Sequence, residues 1–106
     1  MAEESYVFRA SRLTSGNALF PVRIVVSPQR VTRVKPRWIG SQEESIPISK
    51  VASVSLDIGL LFADVRIDST GGSAPITSHG HSKTDARSIR DLIEKFQQAP
   101  GVTGAR

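Results

Sequence analysis

Arg33, Lys35 and Arg37 alternate along one stretch of the chain, a spacing that sends three cationic side chains from the same face of a strand. With Arg23 on the preceding strand expected opposite them and Trp38 directly after, they form the strongest anion- or lipid-binding candidate in the sequence. The chemistry on offer is attraction to phosphate or carboxylate, beside an indole suited to a bilayer interface or a partner's pocket. The plain alternative is a solvated basic face, salt-bridged to Glu43 and Glu44 on the next strand, which is the commoner fate of surface charge.

Other reactive residue types are sparse. His79 and His81 have the i, i+2 spacing that places two imidazoles on one strand face, with Asp68 or Asp85 in reach, but zinc normally takes three or four protein ligands. Serines are abundant, yet no Gly-x-Ser-x-Gly turn surrounds any of them and no carboxylate pair is marked by its context. Gly71-Gly72 reads as a turn and not a phosphate cradle, because a strand and not a helix follows it. There is no cysteine, so disulfides, thiol catalysis and cysteine-ligated metals are excluded together. The expectation is therefore no catalytic residue, no metal, no cofactor, no small-molecule substrate and no enzymatic activity.

Two apolar groups fall where the chain turns. Trp38-Ile39 stands beside the basic strand and reads equally as an exposed tip or an inward seal, whereas Leu61 and Phe62 of Leu60-Leu61-Phe62 are expected to fold inward.

The elements that must carry these residues are short strands. Residues 6–13 make a weakly patterned first strand that ends at the turn formers Thr14-Ser15-Gly16-Asn17. Val22, Ile24 and Val26 then alternate with Arg23, Val25 and Ser27, and Pro21 is tolerated as the first residue of that strand. Ser27-Pro28-Gln29-Arg30 reads as a turn, residues 31–38 as a third strand and Ile39-Gly40-Ser41-Gln42 as the next turn. Pro47 places the fourth strand, 43–48, at an edge or beside a bulge, because it has no amide to give a ladder. In 51–57 the alternation puts Ala52, Val54 and Leu56 on one face and Val51, Ser53 and Ser55 on a wetter one. Ile58-Gly59 connects to a strand over 61–69, in which Ala63, Val65 and Ile67 alternate with Asp64, Arg66 and Asp68.

Thr70-Gly71-Gly72-Ser73 is a strong hairpin signal leading into a last, edge strand over 75–81. A single amphipathic helix closes the pattern over 83–98, with Ser82 as N-cap and Asp85 in capping-box position. Ala86, Ile89, Leu92, Ile93 and Phe96 form its apolar face, and Lys83, Arg87, Arg90, Asp91, Glu94 and Lys95 its solvated one. Pro100-Gly101 stops the helix, and 99–106 has the composition of a flexible tail.

The 106 residues fit one domain, assigned to 1–98, and 39% hydrophobic with 23% charged residues is an ordinary globular composition. The acidic start Met1-Ala2-Glu3-Glu4-Ser5 argues against a secretory signal, and no apolar run approaches the roughly 18 residues of a membrane span. A net charge of +4 attracts anions mildly, but one Trp, one Tyr and four Phe leave few rings for base stacking, which argues against nucleic acid.

The chain resembles the bacterial pleckstrin-homology-like (PH-like) domains. The resemblance is carried by Val22-Arg23-Ile24-Val25-Val26-Ser27, Gln29-Arg30-Val31-Thr32-Arg33-Val34, the stretch from Glu44-Ser45-Ile46-Pro47-Ile48-Ser49-Lys50 to Val51-Ala52-Ser53-Val54, Gly59-Leu60-Leu61-Phe62, Asp68-Ser69-Thr70-Gly71-Gly72 and the terminal helix. It implies a mainly β fold, a seven-stranded antiparallel barrel or sandwich capped by the C-terminal helix. It also implies a protein-interaction, oligomerisation or membrane-proximal module, some relatives assembling into rings or other homo-oligomers; the expected location, from the missing cysteines and signal, is the cytoplasm, membrane-proximal included. Phosphoinositide-binding PH domains use Lys-x-Arg on an early hairpin, to which Arg33-x-Lys35-x-Arg37 is superficially similar, although it lies on the strand after the proline turn. The expected function is a non-enzymatic module acting through protein contact, self-association included, for instance by an uncovered sheet edge near Pro47 or the His79 strand. The alternative is attachment to anionic lipid through Arg23, Arg33, Lys35, Arg37 and Trp38.

Overall fold

Strict alternation of apolar with charged residues in Ala63–Ser69 gives the most regular strand of the molecule, with Ala63, Val65 and Ile67 buried while Asp64, Arg66 and Asp68 face outward. The computed structural model describes residues 5–10, 21–72 and 74–98. Among them are strands β1 (Tyr6–Arg9), β2 (Arg23–Val26), β3 (Arg30–Pro36) and β4 (Ser41–Pro47), a 3-10 turn (Ile48–Lys50), strands β5 (Val51–Ile58), β6 (Ala63–Ser69) and β7 (Ile76–His81), and helix α1 (Lys83–Gln98). The turn expected at Thr14-Ser15-Gly16-Asn17, the far end of the first expected strand, Ser73 of the glycine turn, the Pro100-Gly101 stop and the tail 99–106 lie outside the described residues.

The strands form two antiparallel sheets, β1-β2-β3-β4 and β5-β6-β7. β4 and β7 are therefore edge strands, as Pro47 and the weak pattern of 75–81 predict, and the two edges lie against each other. A closed barrel is not formed. The chain leaves β4 through the Ile48–Lys50 turn, and β5 pairs with β6 instead of continuing the first sheet. That turn is tied to both sides of the molecule: the Ile48 amide donates to the Gln29 carbonyl at 3.0 Å, and the Thr70 amide donates to the Lys50 carbonyl at 2.8 Å.

Ile24, Val26, Val31 and Ile46 of the first sheet and Val65, Ile67 and Ile76 of the second meet Ala86, Ile89, Ile93 and Phe96 of α1 in one core, with Ile48 at the corner. Each such aliphatic side chain taken out of water contributes about 1.5–3 kcal/mol. The helix starts as its sequence requires, with the Asp85 amide donating to Ser82 Oγ at 3.0 Å. Its other end is fastened to the corner by Gln97, whose Nε2 donates to the carbonyls of Ile48 (3.2 Å) and Val51 (2.9 Å).

Two bulges overturn face assignments that alternation alone predicts. In β5 the pairing steps from Val51↔Ser69 to Ser53↔Asp68, so Ala52 is the extra residue. Val51 consequently turns into the core and Ala52 out to solvent, the reverse of the expected arrangement. In β7 the pairing steps from Val65↔Ser78 to Ala63↔His81, three residues opposing two, with Gly80 at φ +84° supplying the left-handed conformation. His79 therefore faces solvent and His81 the interior, and the two imidazoles do not share a face.

Candidate functional site

The basic residues of β3 follow from the way its core-facing row runs out of core. Antiparallel partners share a face, and Val31 lies between the buried Val26 and Ile46, so the row Val31, Arg33, Lys35 begins apolar and turns basic toward the β3–β4 hairpin. Arg33 lies across from Ile24 on one side and Glu44 on the other, and its Nη1 is 3.3 Å from Glu44 Oε1. Its side chain is only 22% exposed.

Lys35 is paired with Gln42, and Arg37 donates from Nη2 to Gln42 Oε1 at 2.8 Å, which gathers both cations at the hairpin end. Arg23 does not join them. It lies across from Val34, so its side chain leaves the opposite face of the sheet from Arg33 and Lys35. The reason is register: β2 and β3 are linked so that Ser27 faces Arg30, and counting back from that turn puts Arg23 out of phase with the odd-numbered cations of β3.

Trp38 and Ile39 form the tip itself. The Arg37 amide donates to the Gly40 carbonyl at 3.1 Å and Gly40 adopts φ +72°, which closes the turn with the two apolar side chains outermost. Trp38 is 82% and Ile39 92% exposed.

A second apolar tip lies at the β5–β6 hairpin. Here the expectation that Leu61 seals the core fails: β6 begins at Ala63, and the Gly59 amide donates to the Phe62 carbonyl at 2.9 Å, so Leu60 and Leu61 become the central residues of a tight turn. Leu60 is 87% and Leu61 72% exposed, while Phe62 is half-buried. The signal that identifies this tip in the sequence is the two consecutive leucines directly after Gly59 in a short connection, since the middle of such a turn has no core to face. Below it Asp57 and Asp64 are directly opposed across the strands. Asp64 also accepts from the Gly80 amide at 3.3 Å and lies 3.2 Å from His79 Nδ1, while Asp85, one of the two expected carboxylates, acts on His81.

His81 is fully buried, its Nε2 2.6 Å from Ser78 Oγ, and its Nδ1 finds no hydrogen-bond partner among the described residues. Burial pushes its pKa below the ordinary 6.5, with Asp85 and Asp64 opposing that shift and His79 adding to it. Among the described residues no group of three or more histidines and carboxylates is placed to hold a metal, and no helix is long and apolar enough to cross a membrane. The arrangement brings together cations and an exposed indole at one tip and carboxylates and exposed leucines at another. No protein-family model matches the chain, and no curated protein matches it.

Proposed function

We propose that this chain is a PH-like, non-enzymatic binding or assembly module of the cytoplasm that works through protein contact, self-association included, with the β3–β4 tip as its contact surface. The observation that carries this reading is the exposure of Trp38 and Ile39, 82% and 92%, at the end of a hairpin in a chain with a well-formed buried core. An exposed indole beside an exposed β-branched residue is the composition of an interface centre. The order of two antiparallel sheets followed by a helix over their shared core supports the PH-like assignment. Attachment to anionic lipid is the second reading, favoured by Lys35 and Arg37 at the base of the same tip, since tryptophan also suits the membrane interface.

Trp38 is the only tryptophan, so its fluorescence reports this surface directly. The expected emission of the dilute chain is that of a hydrated indole, shifting to the blue when the tip is covered. Emission already blue in dilute solution would overturn the proposed surface. Mixed phosphatidylserine–phosphatidylcholine vesicles test the lipid reading: a blue shift at low salt that fades as salt rises supports it, and no shift at low salt removes it.

A further inference from the structure

We infer that the two apolar tips are halves of one contact, the Trp38–Ile39 tip of one copy docking on the Leu60–Leu61 tip of another. This rests on the reading of the β3–β4 tip as a contact surface and names its partner as a second copy of the chain. The two tips match in kind and oppose in charge. Residues 35–42 contain Lys35 and Arg37 and no acid; residues 57–64 contain Asp57 and Asp64 and no base. Each tip presents two large apolar side chains that are at least 72% exposed.

The charge arrangement at the second tip adds weight. Like charges directly opposed across an antiparallel pair repel, and Asp57 and Asp64 hold that relation beside the leucines, with His79 Nδ1 at 3.2 Å and the Gly80 amide at 3.3 Å offsetting part of it on the Asp64 side. Cations brought by Lys35 and Arg37 of a second copy relieve the repulsion as the apolar side chains lose water. Two copies meeting through the same tip would set cations against cations, or carboxylates against carboxylates, so the charges select the unlike pairing.

Because the two surfaces differ, the contact is head-to-tail: each copy keeps one tip free after the other is engaged, and growth has no ceiling at the dimer. Four apolar side chains and four charges fall short of the ~1,000 Å² or more that a stable interface buries, so a single junction is weak and assembly depends on concentration and on salt.

The test is sedimentation velocity of the wild-type chain from micromolar to near-millimolar concentration, together with two tip variants, W38D/I39D and L60D/L61D. The substituted side chains are exposed, and circular dichroism verifies that both variants stay folded. The expected result is a wild-type mass that rises with concentration and falls with salt, while each variant alone stays monomeric. An equimolar mixture of the two variants then gives a 1:1 heterodimer and nothing larger, because each supplies the one intact tip that the other lacks. A mixture that remains monomeric, a variant that still self-associates, or a wild type that stays monomeric throughout overturns the tip-to-tip contact. These failures are distinct from that of the binding-module reading, which is overturned instead by a Trp38 emission already blue in dilute solution.

Discussion

The corner at Ile48 and the two hairpin tips use the same class of residue and treat it in opposite ways. At the corner a three-residue turn is pinned to Gln29 and Thr70 and capped by the helix, and the Ile48 side chain is fully buried. At the tips the turns carry Trp38, Ile39, Leu60 and Leu61 beyond the reach of any sheet face, and these side chains stand in water. The difference teaches which apolar residues the fold needs. Those at the corner join two sheets and a helix; those at the tips lie outside the buried core cluster.

The harshest way to break the comparison is at the corner. Ile48→Ala removes a fully buried side chain from the junction of both sheets with α1, and the expected loss is about 2–5 kcal/mol of stability. That corresponds to a fall in melting temperature on the order of 10–20 °C for a chain of this size. A melting temperature within a degree or two of wild type would mean that the corner does not hold the two sheets together.

His81 offers the next effect, and its sign follows from the lowered pKa. Above pH 6.5 the imidazole is neutral whether the chain is folded or unfolded, and it contributes no pH dependence. As pH falls below 6.5 the unfolded chain takes up a proton that the buried site resists, so folded stability drops until the folded pKa is passed. Thermal unfolding at about pH 8 and about pH 5 is expected to show a larger decline for wild type than for His81→Gln, which removes the titrating group. Equal declines would assign the acid sensitivity to other groups.

Much of this architecture is legible in the sequence, and the gaps have physical causes. Ser82 and the 3.6-residue spacing of Ala86, Ile89, Ile93 and Phe96 fix the helix, because capping and amphipathicity are local properties. Alternation fixes Ala63–Ser69 for the same reason. It fails at Val51 and Ala52, at the start of β5, and at His81, at the end of β7, where a bulge inserts a residue and inverts the face on one side of it. The basic cluster was half legible: the spacing of Arg33, Lys35 and Arg37 is written in the chain, whereas the face of Arg23 depends on the register between two strands. The exposure of Leu61 is not legible from apolar character alone, because burial depends on where the turn begins.

Smaller effects sharpen the contrast. Ser82→Ala leaves the Asp85 amide without its cap and is expected to cost about 1 kcal/mol. Rescue by Ser82→Asp would separate loss of the cap from loss of side-chain packing, since aspartate accepts from the same amide and its charge favours a helix N-terminus.

The smallest effect is the most telling. Trp38→Ser and Leu61→Ser replace large apolar residues, a change that in a core would cost several kcal/mol, yet each is expected to alter stability by no more than about 0.5 kcal/mol. Urea unfolding followed by circular dichroism measures this without relying on the tryptophan that one variant removes. Measured at low protein concentration it excludes any contribution from association, because a ligand or second copy that binds only the folded chain raises apparent stability. A large loss under those conditions would place the tips among the residues that hold the fold. A negligible loss, with the Ile48→Ala chain strongly destabilised, leaves the tips as apolar surface that the fold does not use and a partner can.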